Sequence, residues 1–113
     1  MLDGHEAGAI EAMAMIKAWR DLAIRWELTW HERVALLPRG GEDTASPPQD
    51  TEKRMRILIE IGYRLRFEDD ESMCEWLRAP AEMWNWHSPL EVMSASLPDL
   101  RRFRAFIEMG LGS

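Results

Sequence analysis

The N-terminal part of the chain carries apolar side chains at steps of three and four, the period of an amphipathic helix. No proline or glycine interrupts the pattern from Ala9 to Trp26, which predicts one long helix. A short second helix should follow, because Thr29 and Glu32 have the spacing of a capping box and Pro38 ends the run. We expect these two helices to pack as a helical hairpin. The apolar positions of the first helix are Ile10, Met13, Ile16, Trp19, Leu22, Ala23 and Trp26.

A third helical pattern, from about Thr51 to Phe67, has an apolar face that is wider than a single stripe. Such a face predicts a central helix that packs against the first helix and against a second copy of the chain. Between the second and third helices, Arg39 to Gln49 holds two glycines and two prolines, which predicts a flexible loop. The apolar positions of the third helix are Met55, Leu58, Ile59, Gly62 and Leu65, widened by Ile57, Ile61 and Tyr63.

Start and stop signals predict a fourth and a fifth helix. The acidic group from Glu68 to Glu71 suits the positive N-terminal end of a helix from Glu71 to Arg78. This helix must stop near Pro80, which disfavours the α conformation in the residue before it. The fifth helix runs from Ser88 to Ala95. There Ser88 can cap the first turn, Pro89 loses no needed donor, and Glu91 completes a capping box.

The last helix is predicted from Pro98 to Met109, after a tight corner at Ser96 and Leu97. The chain shows no alternating strand pattern and no internal repeat. We therefore predict an all-α fold of about six helices.

The loop between the fourth and fifth helices holds Met83, Trp84 and Trp86, more aromatic surface than a solvated linker tolerates. We expect this loop to be docked on the helices. Because alternate residues point in different directions, one of the two tryptophans should pack inward while the other stays available to a partner. The tryptophans predicted to fill the core are Trp19, Trp26, Trp30 and Trp76.

Size and composition are those of one globular domain: 113 residues, 46% of them hydrophobic. No apolar run approaches the roughly 18 residues that a membrane span requires. Asp3, Glu6 and Glu11 lie where a signal peptide would be basic. These observations predict a cytoplasmic protein.

Residues that could carry chemistry are few and scattered. His5, His31 and His87 lack metal-ligand spacing, and nothing in the sequence pairs His87 with the single cysteine, Cys74, as a catalytic dyad. Cys74 is better interpreted as a small residue on a buried helix face. Gly40 and Gly41 are followed by acids that would repel a phosphate. We expect no enzymatic activity, no cofactor and no metal site.

The run from Trp76 to Met93 resembles the toxin-binding domain of the Xre/MbcA/ParS family of bacterial antitoxins. The family's pattern is a Trp-Leu-Arg/Lys-x-Pro helix end, a loop, and Ser/Thr-Pro-Leu-Glu. Here Trp76 to Pro80 reads Trp-Leu-Arg-Ala-Pro, and Ser88 to Glu91 reads Ser-Pro-Leu-Glu. The resemblance runs from about Met55 to Leu111. It departs from the family at Ala81 and His87, where the family usually has Asn and Gly.

This resemblance implies a degenerate helix-turn-helix-like half, residues 1–50, packed on a helical toxin-binding domain, residues 51–113. It implies a type II antitoxin that neutralises a RES-domain toxin by occluding its active site. Such a toxin consumes NAD by phosphorolysis, hydrolysis or ADP-ribosyl transfer. We expect a homodimer within a toxin–antitoxin heterotetramer. The expected toxin-binding residues are Trp84, Trp86, Arg102, Phe106, Met109, Gly110, Leu111, Gly112 and Ser113.

The alternative is a DNA-binding regulator of its own operon. Leu28 to Leu37 resembles the first, supporting helix of the family's DNA-reading unit. A recognition helix should follow, but Gly40 to Pro48 holds glycines, acids and prolines, which favour neither a helix nor phosphate contact. The net charge of −6 points the same way. We predict weak or absent DNA binding, whereas a helix across residues 39–49 would favour the alternative.

Overall fold

Six α-helices make up most of residues 4–37, 49–65 and 67–110, the parts of the chain that the computed structural model describes. No strand occurs in these described ranges, so the predicted all-α fold is confirmed. No helix in them is long and apolar enough to cross a membrane. The helices are α1 (Gly4–Arg25), α2 (Trp30–Leu36), α3 (Gln49–Arg64), α4 (Asp70–Arg78), α5 (Pro89–Ala95) and α6 (Leu97–Glu108), with a 3₁₀ turn at Glu82–Trp84.

Side-chain caps begin the helices where the sequence predicts them. In α2 the Thr29 hydroxyl accepts from the Glu32 amide at 3.2 Å, and the Glu32 carboxylate accepts from the Thr29 amide at 2.8 Å. Ser88 and Glu91 form the same capping box at the start of α5, with distances of 3.2 and 3.1 Å. Asp69 caps α4 by accepting from the Ser72 amide at 2.7 Å. The two capping boxes are the pairs that the sequence predicts, whereas Asp69 is the member of the predicted acidic group that serves as the cap, and α4 begins at Asp70 instead of Glu71.

α1 ends in a Schellman motif, in which two amides beyond the helix donate back to carbonyls of its last turn. The Glu27 amide donates to the Ile24 carbonyl and the Leu28 amide to the Ala23 carbonyl, both at 3.0 Å. Glu27 has a φ of +52°, a left-handed conformation that usually belongs to glycine. This turn redirects the chain away from α1.

The direction of that turn corrects the predicted hairpin. α2 packs mainly on α5 and does not run back along α1. α1 packs instead on α3, as predicted for the two long helices. Their approach is close at Gly62, since a Cβ there would collide with the side chain of Leu22. α3 also packs on α6, so it is the central helix.

One cluster of buried apolar side chains draws on all six helices. The predicted regions 1–50 and 51–113 therefore share a core. Trp19 and Trp26 are fully buried in it, as predicted, and Trp76 is partly buried against it. The other fully buried large side chains are Leu36, Met55, Leu58, Ile61, Leu65, Met73, Leu77, Met93, Leu100 and Phe103.

Trp30 and Tyr63 are exposed, and the assignment of Trp30 to the core is wrong. Trp30 is 66% exposed, because it shares one face of α2 with Val34 and that face points away from buried Leu36. Tyr63 is 69% exposed and lies beside the groove between α1 and α3. The predicted loop at 39–49 falls outside the described residues, except that Gln49 already belongs to α3.

Candidate protein-binding surface

The loop between α4 and α5 is closed by its own backbone. Ala81 and His87 form an isolated antiparallel bridge, in which the Ala81 amide donates to the His87 carbonyl at 3.2 Å. The Trp84 and Trp86 amides both donate to the Ala81 carbonyl, at 3.0 and 2.9 Å. Ala81 and His87 are the two positions at which the chain departs from the antitoxin pattern. Because the bridge uses only main-chain groups, this closure does not depend on the side chains found there.

The two loop tryptophans have opposite environments, which confirms the prediction that one packs inward. The ring of Trp84 lies edge-on to Phe106 with centroids 5.1 Å apart, and 5.5 Å from Phe103. Trp86 is 67% exposed. The two side chains do not diverge because of the alternation of an extended segment, as predicted. They diverge because a 3₁₀ turn is followed by two residues in the left-handed conformation, Asn85 and Trp86, with φ of +60° and +66°.

A continuous cluster of aromatic rings packs against the loop. Phe67 stacks on Trp76 at 5.4 Å, and Trp76 on Phe103 at 6.0 Å. Phe103 in turn contacts Trp84 and Phe106. Tilted and edge-on aromatic pairs each add to stability beyond their buried area. The loop is therefore fixed on α6.

Three of the predicted binding residues share one face of α6. Arg102, Phe106 and Met109 are spaced i, i+4 and i+7, which places them along one side of a helix. The Arg102 side chain is 80% exposed and Met109 is 73% exposed, whereas Phe106 is half-buried under Trp84. The structure thus joins Trp84 to this face. Exposed Met83, at the tip of the same loop, was not among the predicted binding residues.

The last predicted residues divide into two groups. Gly110 has a φ of +79°, and its amide donates to the Ile107 carbonyl at 2.9 Å, so it ends α6 in the conformation that glycine favours. Leu111, Gly112 and Ser113 lie outside the described residues.

An ionic network fixes the end of α6 against α3. Arg104 lies 3.3 Å from Glu60 and 3.8 Å from Glu108. Arg64 lies 3.6 Å from Glu60 and 4.0 Å from Glu108. These partly exposed pairs stabilise the fold only weakly. They join the last turns of α6 to α3 through charged side chains.

Arg78 is the residue whose role sequence reasoning missed. Its guanidinium donates to both oxygens of the Glu32 carboxylate, at 2.8 and 3.1 Å. It also donates to the Trp26 and Glu27 carbonyls, each at 3.0 Å. Partial burial by itself would raise the pKa of Glu32, but hydrogen bonds from Arg78 and the Thr29 amide outweigh it, and that pKa is lowered. The sequence marks Arg78 only as a helix end, since its partners lie about fifty positions away.

Cys74 and His87 each contact other residues in the part of the chain that the structure describes. The Cys74 thiol is buried, its sulfur lies 3.5 Å from the Arg25 carbonyl, and burial, followed by the Glu27 carboxylate, raises its pKa. His87 contacts Glu91 at 3.3 Å. Within the described ranges, no three His, Cys, Asp or Glu side chains are grouped so that they could hold a metal ion.

Comparison with known proteins gives one distant relative of similar length. No family model matches the chain, and no solved structure matches it. The uncharacterized protein y4oB of Sinorhizobium fredii is 26% identical over 110 residues, which cover 88% of this chain and 85% of the relative. The likeness extends over nearly the whole of both chains, so it is not confined to the Trp-rich run.

Proposed function

We propose that this protein is a type II antitoxin that binds a RES-domain toxin and occludes its NAD site. The observation that carries the proposal is the surface formed by the Trp-rich loop and the outer face of α6. Exposed Trp86 and Met83 extend from a loop that its own bridge and the Trp84–Phe106 contact hold in place. Large exposed apolar side chains on a fixed support are the usual anchors of a protein interface.

The residues that carry the antitoxin resemblance have defined structural tasks here. Trp76 stacks between Phe67 and Phe103 beneath the loop. Ser88 and Glu91 form the capping box that starts α5 directly after the loop. The motif therefore builds the support on which the exposed anchors are presented.

Rigidity of the loop favours tight binding. A partner that docks on a preformed loop does not have to order it, so less conformational entropy is lost on association. Met109, at the end of α6, is the last large apolar residue before Gly110, and the chain continues through Leu111 to Ser113. We propose that this tail follows the α6 face into the toxin's NAD pocket. Removal of the tail should then restore NAD consumption without loss of the fold.

The first test compares two tryptophans of equal exposure. Trp86→Ala should weaken binding of a cognate RES-domain toxin by at least tenfold, measured by calorimetry with purified partners. Trp30→Ala is the matched control, since Trp30 is 66% and Trp86 67% exposed but Trp30 lies on α2. Its affinity should stay within about twofold of wild type. Equal losses from the two variants would show that the Trp-rich loop is not the binding surface.

The second test removes the tail. A chain that ends at Gly110 keeps the Gly110 amide bond that ends α6 and the contacts of Glu108 with Arg64 and Arg104, and should retain its helicity. It should fail to protect cellular NAD when co-expressed with the toxin. Leu111→Asp should act in the same direction, since an unpaired carboxylate in a cleft costs several kcal/mol. Full protection by the shortened chain would place inhibition on another surface.

A homodimer is part of the proposal, because α1 carries exposed apolar side chains. Exposed Met13 and Ile24 lie eleven residues apart, about three turns, and so share one face of that helix. Sedimentation at tens of micromolar, roughly the range of weak dimers, should give a mass of two chains. Met13→Glu together with Ile24→Glu should give the mass of one. A wild-type monomer at that concentration would remove the dimer from the proposal.

A further inference from the structure

One guanidinium joins three helix ends. Arg78 is the last residue of α4, and its Nη2 accounts for the contacts to the Trp26 and Glu27 carbonyls at the end of α1. The same group holds Glu32, whose Oε1 also accepts from the Thr29 amide in the capping box of α2. Arg78 Nη1 donates to the Cys74 carbonyl at 3.1 Å, within α4 itself. The end of α4 is thus bonded to both sides of the α1–α2 turn.

These contacts lie next to both ends of the Trp-rich loop, residues 79–87. Arg78 directly precedes the loop, and Ser88 directly follows it. Both residues line one groove between α2 and α5, together with Glu32 and Glu91. α5 packs on α2 as well. The α2 region is therefore the common support from which the two ends of the loop are held.

We propose that Arg78 is a positioning residue for the toxin-binding loop. By bonding the end of α4 to the α1–α2 turn, it fixes where the loop begins relative to α5 and α6, and so where Trp86 is presented. The inference rests on the proposed function for its effect on affinity, but not for its effect on the loop. A lysine cannot replace the arginine, because the planar fork makes several hydrogen bonds at once and an ammonium group cannot reproduce that geometry.

A merely structural role for Arg78 makes a different prediction. If the guanidinium only satisfied the end of α1, its loss would loosen residues 26–32 and leave the loop unchanged. The two roles separate in amide hydrogen exchange followed residue by residue by NMR. The informative amides are those of Trp84 and Trp86, which are bonded within the loop.

The experiment uses Arg78→Lys with a matched arginine as control. Arg25 also bonds across helices, to the Gly62 carbonyl and to Asp70, both at 3.3 Å, but it does not adjoin the loop. In Arg78→Lys the Trp84 and Trp86 amides should exchange at least tenfold faster at unchanged helicity. In Arg25→Lys they should stay within twofold of wild type. Exchange that rises only in residues 26–32 overturns the proposal.

Two further measurements complete the test. If Arg78→Lys fails to fold, Glu32→Gln takes its place in the test. This variant keeps Arg78 but removes the charge of the carboxylate that Arg78 binds, so exchange of the same loop amides should rise by a smaller factor. Toxin affinity should fall about tenfold in Arg78→Lys and less than twofold in Arg25→Lys. Unchanged affinity in Arg78→Lys overturns the inference alone. If the wild-type protein does not bind the toxin, the proposed function fails. The exchange rates of the Trp84 and Trp86 amides then still test whether Arg78 positions the loop.

Discussion

Two turns of this protein follow the same local pattern but have different surroundings. The α1–α2 turn carries Trp26 and Trp30, and the α4–α5 loop carries Trp84 and Trp86. The first turn contains one left-handed residue other than glycine, Glu27, and the second contains two, Asn85 and Trp86; each turn leads into a capping box. In each turn one tryptophan packs inward and the other is about two-thirds exposed.

The turns differ in what holds them. The α1–α2 turn is bonded from outside, by Arg78 and Cys74 of α4, and its inner tryptophan is fully buried. The α4–α5 loop is closed by its own Ala81–His87 bridge and rests on the aromatic rings of α6. The first arrangement makes a fixed joint in the core. The second leaves Trp86 exposed on a loop that its own backbone bonds close.

The largest expected difference lies within the α1–α2 turn. Trp26→Ala should lower the free energy of unfolding by about 3–5 kcal/mol, because it empties a fully buried site. Trp30→Ala should change it by less than about 0.5 kcal/mol. Urea denaturation measures both values. Similar costs for the two would contradict the burial that separates them.

The same comparison in the α4–α5 loop should give a smaller gap. Trp84→Ala should cost about 2 kcal/mol, since a half-buried ring loses its contacts with Phe103 and Phe106. Trp86→Ala should be nearly neutral for stability while it weakens partner binding. Denaturation and calorimetry on the same two variants test this. A stable Trp84→Ala variant would mean that the loop is held by its backbone bridge alone.

The two capping boxes should differ by less. Ser88→Ala should cost about 1–2 kcal/mol and Thr29→Ala about 0.5–1 kcal/mol, the upper and lower parts of the range for such caps. Ser88 is buried, so its loss leaves the Glu91 amide shielded from water, whereas Thr29 is exposed. Chemical denaturation of the two variants checks the order. The reverse order would show that the α1–α2 turn depends more on its cap than the loop does.

The Arg78–Glu32 contact predicts a pH dependence at the first turn. Since the pKa of Glu32 is lowered from its ordinary value of 4.5, its contribution is present above that pH and is lost as the pH falls through the lowered value. Glu32→Gln should therefore cost about 1 kcal/mol at pH 7, the order for a hydrogen-bonded pair near the surface. Denaturation between pH 7 and pH 3 should show the wild-type advantage shrinking below about pH 4.5. An advantage that persists in acid would assign it to packing.

The smallest effect concerns backbone conformation. Glu27→Gly should stabilise the protein by up to about 1 kcal/mol, because glycine adopts the left-handed conformation without strain. Asn85→Gly should be nearly neutral, since asparagine tolerates that conformation. Melting temperatures of the two variants, compared with wild type, decide the point. A loss of stability in Glu27→Gly would mean that the gain in chain entropy of the unfolded state outweighs the relief of strain.

The sequence by itself determined the helices and their caps, because these depend on residues three or four positions apart. Ser88 with Glu91, Thr29 with Glu32, and the stop before Pro80 all belong to this local class. The spacing of Arg102, Phe106 and Met109 on one face of α6 belongs to it as well. The aromatic content of the tryptophan-rich loop predicted that it docks on the helices, and Trp84 confirms this, although Trp86 stays exposed.

Only the tertiary structure decided which neighbours those elements meet. The exposure of Trp30 and the packing of α2 on α5 depend on how the Schellman turn directs the chain. Trp84 meets Phe106 of α6, and Arg78 meets Glu32 from a position 46 residues further along the chain. Contacts of this kind arise from the packing of whole helices, and no short-range pattern encodes them. They are the contacts that turn a set of predicted helices into a presented surface.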